Sequence, residues 1–361
     1  VVKALGFPSE GWLGDVPVIV AFAILAAYTY HGGMRAPALV AIVKDALIYI
    51  TVITAIVVIP ARLGGFEHIF AAAQTALANA PKAASTVLAP AQFSTYVTLA
   101  LGSGLALIVY PHIITGTIAA SSPVVIRRNM ALVPAYSVLL GLLALFGYMA
   151  HAAGLHPASP NDTVPDLLRV MFPSWFFGVC LAAIGIGALV PAAIMSIAAA
   201  NLYTRNVRRV PPGVAPAGPE ETAIAKTTSL VVKTGALLAV LLLPAQFSIY
   251  YQLFAGALIL QTFPAIIIGL WSRWFHRAAL FAGLAVSVVV AVWMIVANHF
   301  SSTFPLTFGD TTIAGYVALW GFAANLIVAA VCTFILDAMH VSRGTDRTTP
   351  ADYEEVPSAV A

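Results

Sequence analysis

The segment VPAAIMSIAAANLYTRN, Val190 to Asn206, is built from small and apolar residues with one hydroxyl, Ser196, near its middle. Ala193, Ser196 and Ile197 stand at i, i+3 and i+4, so a helix would carry them on one face. A bare face of that kind can offer a hydroxyl and a backbone carbonyl to a hard cation, which is held by oxygen. Ala192, Ser196 and Ala200 also form a small-xxx-small row that lets a neighbouring helix come close. From the residues alone, packing and ion binding both remain open. A second group is LALGSGLALIVYPHIITG, where Gly102, Ser103 and Gly104 interrupt an apolar run and Pro111 follows. Glycine weakens a helix and proline removes one of its donors, so a break is expected at Gly102–Gly104. Inside a membrane, freed backbone groups are tolerated only where they line a cavity, and the start of a half-helix there suits an anion. The alternative is a glycine face for close packing. His112 reads either as a proton relay or as an imidazole satisfied by a nearby carbonyl. Gln252, with Gly256 one turn on, either faces a polar cavity or joins Tyr250 and Tyr251 in an interfacial belt. Lys44 and Asp45 are expected in the first turns of a helix, snorkelling or pairing with each other.

Nothing in the chain points to catalysis. No H-E-x-x-H, G-x-S-x-G or C-x-x-C occurs, and the acidic residues fall at helix ends, in loops or near the C-terminus. Cys180 and Cys332 both lie in apolar runs, which suggests neither a disulfide framework nor a metal site. The 361 residues are 61% hydrophobic and only 9% charged, far below the roughly 25% charge of a soluble domain. The solvent of such a surface must be lipid. A net charge of +3 without a basic run gives no track for nucleic acid. An enzyme is not expected, and neither is an organic cofactor.

Lipid leaves backbone groups no partner outside the segment, so each span must be a helix of roughly 20 residues. Nine are expected, at about 17–32, 41–61, 93–119, 130–152, 174–203, 228–244, 249–271, 278–299 and 315–338. Basic residues alternate between the loops. Arg35, Lys44, Arg127, Arg128, Arg205, Arg208, Arg209, Lys226, Lys233, Arg273, Arg277, Arg343 and Arg347 fall on one side, and Lys3, Arg62, Lys82 and Arg169 on the other. By the positive-inside tendency the N-terminus is outside and the C-terminus cytoplasmic. Two long outer loops, 64–92 and 154–174, are expected to hold short surface helices. The stretch 208–226 is expected to be a flexible linker, and the residues after Met339 a polar tail. The abrupt start VVKALGFPSEGWLGD, without Met or signal peptide, suggests a chain that has lost its N-terminal part.

Four stretches together resemble the sodium:solute symporter family, in its branch of bacterial monocarboxylate permeases: YTYHGGMRAPALVAIVKD, GGFEHIFAAA, YPHIITGTIAASSPVVIRRNMALVPAYS and LVPAAIMSIAAANLYTRNV. The resemblance implies an all-α polytopic membrane protein with a partial LeuT-like fold of inverted five-helix repeats. Residues 1–62 would be the last two core helices of the first repeat. Residues 63–271 would be the complete second repeat, 272–339 two accessory helices and 340–361 a cytosolic tail. The first three core helices would be missing partners of the same protein. The implied function is symport of a small monocarboxylate such as lactate or pyruvate across the bacterial inner membrane, with another small solute such as an amino acid or acetate, or a non-transporting sensor, as alternatives. Carried over position by position, the substrate would meet Ser103, Gln252 and Tyr136 or Ser137, with Gly102 and Gly104 joining Ser103 at the expected break. The ion would meet Ala193 and Ser196. Ile197 departs from the family's usual hydroxyl there, so the coupling ion stays open between Na+ and H+, with His112 as the relay for a proton.

Overall fold

A computed structural model of the protein describes residues 3–8, 11–80, 84–208, 218–243 and 247–343. Most of the expected linker, and the tail beyond Arg343, lie outside the described residues, as do Lys82, Arg209 and Arg347 of the charge pattern. The described elements are α1 (Trp12–Gly32), α2 (Arg35–Arg62), α3 (Gly65–Ala78), α4 (Phe93–Val109), α5 (Pro111–Ile118), α6 (Pro123–Leu143), α7 (Leu145–Ala152), α8 (Thr163–Met171), α9 (Ser174–Leu202), α10 (Pro219–Leu242), α11 (Ser248–Ile259), α12 (Gly269–Trp271), α13 (Arg277–Ala297), strands β1 (Thr303–Phe308) and β2 (Thr311–Tyr316), and α14 (Val317–Ala338). Among the described residues, nine helical stretches are long and apolar enough to cross a bilayer, in the order the sequence predicts. Several begin a turn or two earlier than the hydropathy suggests, because the helix continues through polar residues beyond the apolar run. Large apolar side chains such as Ile42, Val57, Leu132, Phe281 and Val289 stand on the outer faces of these helices. Water would not tolerate so many; hydrocarbon does.

The chain divides into two compact units, Val1–Val87 with Arg128–Gln246, and Leu88–Arg127 with Phe247–Ala361. In the first, α2 packs along α9, and α3 lies on α7. Its core joins Ile59 of α2, Ile69 of α3, Met149 of α7, Leu167 of α8 and Phe176 of α9. Short helices α3 and α8 fall in the two long loops. Helix α8 is amphipathic, burying Leu167, Leu168 and Met171 while Asp166 and Arg169 pair on its exposed side. Arg62, at the end of α2, donates to the Met171 carbonyl and lies 6.0 Å from the Phe172 ring centre, which ties the loop down. Helix α10 packs on α9 and α1.

The second unit centres on α13 and α14, which approach closely because Gly283 faces Asn325. A Cβ at Gly283 would stand 2.5 Å from the Asn325 Oδ1. Asn325 donates to the Gln261 carbonyl at 2.7 Å, and Gln261 donates to the Ala318 carbonyl at 3.1 Å, which fastens α14 to the segment after α11. The antiparallel hairpin β1–β2 departs from the all-helical expectation. Its turn is Gly309–Asp310, with Gly309 at φ 58, a conformation glycine adopts freely. The ninth span accordingly starts at Val317.

Candidate functional site

The broken helix lies in the second unit, but not where its glycines suggested. Helix α4 runs without interruption through Gly102, Ser103 and Gly104 and stops at Val109. Tyr110 is extended, with φ −60 and ψ 132, and α5 starts at Pro111. The cause is local. Proline disfavours the helical conformation in the residue before it, yet its own ring suits the first position of a new helix. The expected break therefore moves to Tyr110, and the reason for assigning backbone contacts to Gly102–Gly104 fails. Gly102 is a packing glycine, buried against the Tyr316 ring. Ser103 and Gly104 are exposed on α4.

Around the true break the second unit gathers polar groups. Gln252 Nε2 donates to the Tyr110 hydroxyl at 3.2 Å, and that hydroxyl lies 3.5 Å from the Gln252 carbonyl as donor. Gly256 is bare where a Cβ would come 2.7 Å from the Tyr316 hydroxyl. Tyr316 in turn donates to the Leu253 carbonyl at 2.5 Å. The His112 ring packs 5.3 Å from the Tyr110 ring, in the first turn of α5. Sequence reasoning named Gln252 and His112 but missed both tyrosines. Tyr110 carried a signal, since it directly precedes the proline. Tyr316 carried none, because it arrives from a hairpin two hundred residues further along the chain.

The first unit holds the other group. Ser196 Oγ donates to the Ala193 carbonyl at 2.8 Å, and both residues are buried. Ile197 is partly buried and offers no side-chain oxygen. Ser229 of α10 reaches Ser196, hydroxyl to hydroxyl, at 3.5 Å, and Lys233 Nζ donates to Ser229 Oγ at 2.5 Å. Lys233, placed among the loop cations by sequence, is thus a buried residue well inside α10. Its burial could not be read from hydropathy, which sees only a lysine near a span's predicted edge. Tyr136 lies on α6, with its ring edge-on to Tyr49 at 6.5 Å and the Lys44 ammonium 5.6 Å from its centre. Lys44 and Asp45 form an ion pair at 2.7 Å. They sit in the third turn of α2, which starts at Arg35.

Among the described residues no group of three or more His, Cys, Asp or Glu could hold a metal ion. Any cation bound near Ser196 would therefore rest on hydroxyl and carbonyl oxygen.

A bundle of apolar spanning helices with a proline-broken helix and buried hydroxyls describes a polytopic membrane transporter rather than an enzyme. The comparisons with known proteins agree. Residues 10–286 match the Sodium:solute symporter family, and the chain belongs to that family. It is 47% identical over 340 residues to the "Monocarboxylate transport permease protein" of Rhizobium johnstonii, covering 94% of this chain and 68% of that one. It is 27% identical to the "Uncharacterized symporter YodF" of Bacillus subtilis, covering 87% of this chain and 60% of that one. Among solved structures, a Na+-coupled sialic acid symporter in a substrate-bound outward-open state matches with a TM-score of 0.69 at 16% identity. That match covers 92% of this chain and 69% of the other, and it establishes the LeuT-like fold.

Proposed function

We propose that the protein is a symporter that imports small monocarboxylates such as lactate or pyruvate, coupled to Na+ or H+. The observation that carries this reading is the break at Tyr110–Pro111. The first turn of α5 begins there, and the side chains of Tyr110 and Gln252 hydrogen-bond each other beside it. A half-helix start favours an anion without a buried arginine, and a hydroxyl and an amide can take the carboxylate and the hydroxyl or keto oxygen next to it. Likeness to a relative named as a monocarboxylate permease supports the substrate class. Tyr136 and Ser103 are further substrate candidates on the family mapping, Ala193 with Ser196 are the candidate ion ligands, and His112 is the candidate proton relay. The same mapping makes residues 1–62 the end of a first repeat, 63–271 the second, 272–339 accessory helices and 340–361 a tail. It also implies missing core helices before residue 1 and a bacterial inner-membrane location. The distribution of basic residues supports an outside N-terminus and a cytoplasmic C-terminus.

The test is uptake of labelled lactate by the full-length protein in proteoliposomes, with sodium and proton gradients imposed separately. Accumulation under either gradient is expected. No movement of lactate, pyruvate or acetate under either gradient refutes the substrate class.

A further inference from the structure

Helix α10 buries just two side chains, and both are polar: Ser229 and Lys233. A lysine in a membrane helix ordinarily snorkels its ammonium to the interface. Lys233 is about 14 Å along the axis from the C-terminal end of α10 and about 21 Å from its N-terminal end. Its side chain folds back one turn onto Ser229 and remains only 4% exposed, so protein and not headgroup encloses it.

Among the described residues no acid pairs with that ammonium. Helix α9, which packs on α10, contains no charged residue. Helix α1 contributes Asp15, Tyr28, Tyr30 and His31. Tyr30 holds the Lys226 ammonium 5.0 Å from its ring centre, which sets the level of α1 against α10. Asp15 is fifteen residues before Tyr30, and Lys233 seven after Lys226, so the two differ in level by about 12 Å or more whichever way the helices run. Tyr28 donates to the Leu189 carbonyl at 3.4 Å. The turn after α9 brings Arg205 to Glu221 and Arg208 to Glu220, both at the far start of α10. What meets the ammonium is a neutral oxygen, the Ser229 hydroxyl, which in turn reaches Ser196, itself donating to the Ala193 carbonyl.

We propose that the Lys233 ammonium, held on Ser229 one hydroxyl away from Ser196, is the resident cation beside that site and serves in place of a sodium ion, so that substrate movement needs no sodium. The proposal rests on Ser196 and Ala193 being the ion ligands of the proposed function. Ser196 Oγ lies within about 6 Å of the ammonium, so a sodium ion bound to it would stand within about 8 Å of that charge in a dry interior, where like charges repel. Ile197 also withholds the oxygen that a metal ion would need. A tethered ammonium needs fewer oxygens than a bare ion and brings its own charge.

The experiment is counterflow exchange of labelled lactate by the full-length protein in proteoliposomes, without gradients, in sodium and in choline. Wild-type exchange is expected to be equal in the two salts. Lys233→Met should lower the maximal rate about tenfold or more with little change in KM, and Lys233→Arg should recover part of it. Exchange that requires sodium overturns the proposal, as does a Lys233→Met variant as fast as wild type. A Lys233→Met variant with a KM raised about tenfold and its maximal rate kept also overturns it, since Lys233 would then pair with the substrate carboxylate. A substrate-free arm keeps the two readings apart. Thermal stability of the wild type is expected to be the same in sodium and in choline at equal ionic strength. A sodium-induced rise in Tm that Ser196→Ala abolishes overturns the proposal even where lactate proves not to be the substrate. Absence of all lactate exchange, with Tm unmoved by sodium, removes the substrate class alone and upholds the resident cation.

Discussion

Replacing Gly102 and Gly104 separately by alanine distinguishes a packing glycine from a helix-breaking one. A Cβ on Gly102 would stand 2.6 Å from Tyr316 Cδ1, 3.1 Å from its Cε1 and 3.2 Å from Leu319 Cγ. The nearest of these falls 0.8 Å short of the 3.4 Å at which ordinary contact begins. The ring cannot swing aside cheaply. Its hydroxyl is fixed on the Leu253 carbonyl at 2.5 Å, and the Tyr316 N–H on Thr98 Oγ1 at 2.9 Å. Overpacking of this kind costs about 1–3 kcal/mol. Alanine returns roughly 0.5–1 kcal/mol of helix preference, so Gly102→Ala should destabilise by about 1–2 kcal/mol net. Around Gly104 nothing lies within 4 Å of the added carbon, so Gly104→Ala should be neutral or stabilising by up to about 1 kcal/mol. The assay is thermal unfolding of both variants in the same detergent, followed by lactate exchange. A Gly104→Ala loss as large as that of Gly102→Ala, or a neutral Gly102→Ala, refutes the packing argument and returns the break to the glycines.

Two further perturbations address the break and the second unit's outer elements. Tyr110→Phe removes the hydroxyl to which Gln252 donates. One hydrogen bond is worth about 0.5–1.5 kcal/mol, so KM for lactate should rise about two- to tenfold with the maximal rate little changed, and an unchanged KM would place Tyr110 outside the site. His276 caps α13 by accepting from the Ala278 N–H at 3.1 Å, while its Nε2 meets the Ser342 carbonyl at 2.9 Å. His276→Ala should cost about 1–2 kcal/mol and His276→Asn should restore part of that. Equal melting of all three proteins would show that the cap contributes nothing.

Much of the architecture was fixed by composition. With 61% hydrophobic and 9% charged residues the chain has to live in lipid, and lipid admits only helices of spanning length, so their number and order follow from hydropathy. The short helices α3 and α8 were foreseen because the loops that hold them are long. The pairing of Ser196 with Ala193 was legible too, since both lie within one turn of one helix and helical geometry alone brings them together. The break was legible in kind and misplaced in position. Glycine merely permits a break, and a packed helix overrides the permission. Proline disfavours the helical conformation in the residue before it; Pro17, Pro60, Pro134 and Pro191 are nonetheless carried inside helices, whereas at Pro111 the preceding Tyr110 leaves the helix. Contacts between distant segments had no signature in the chain. Tyr316 reaches Gly102 and Leu253 only because a hairpin delivers it, and hydropathy sees Lys233 as a lysine near the edge of a span although it is buried in the packed structure. Periodicity and composition act on neighbours in sequence, whereas burial of a side chain is decided by which helix packs against it.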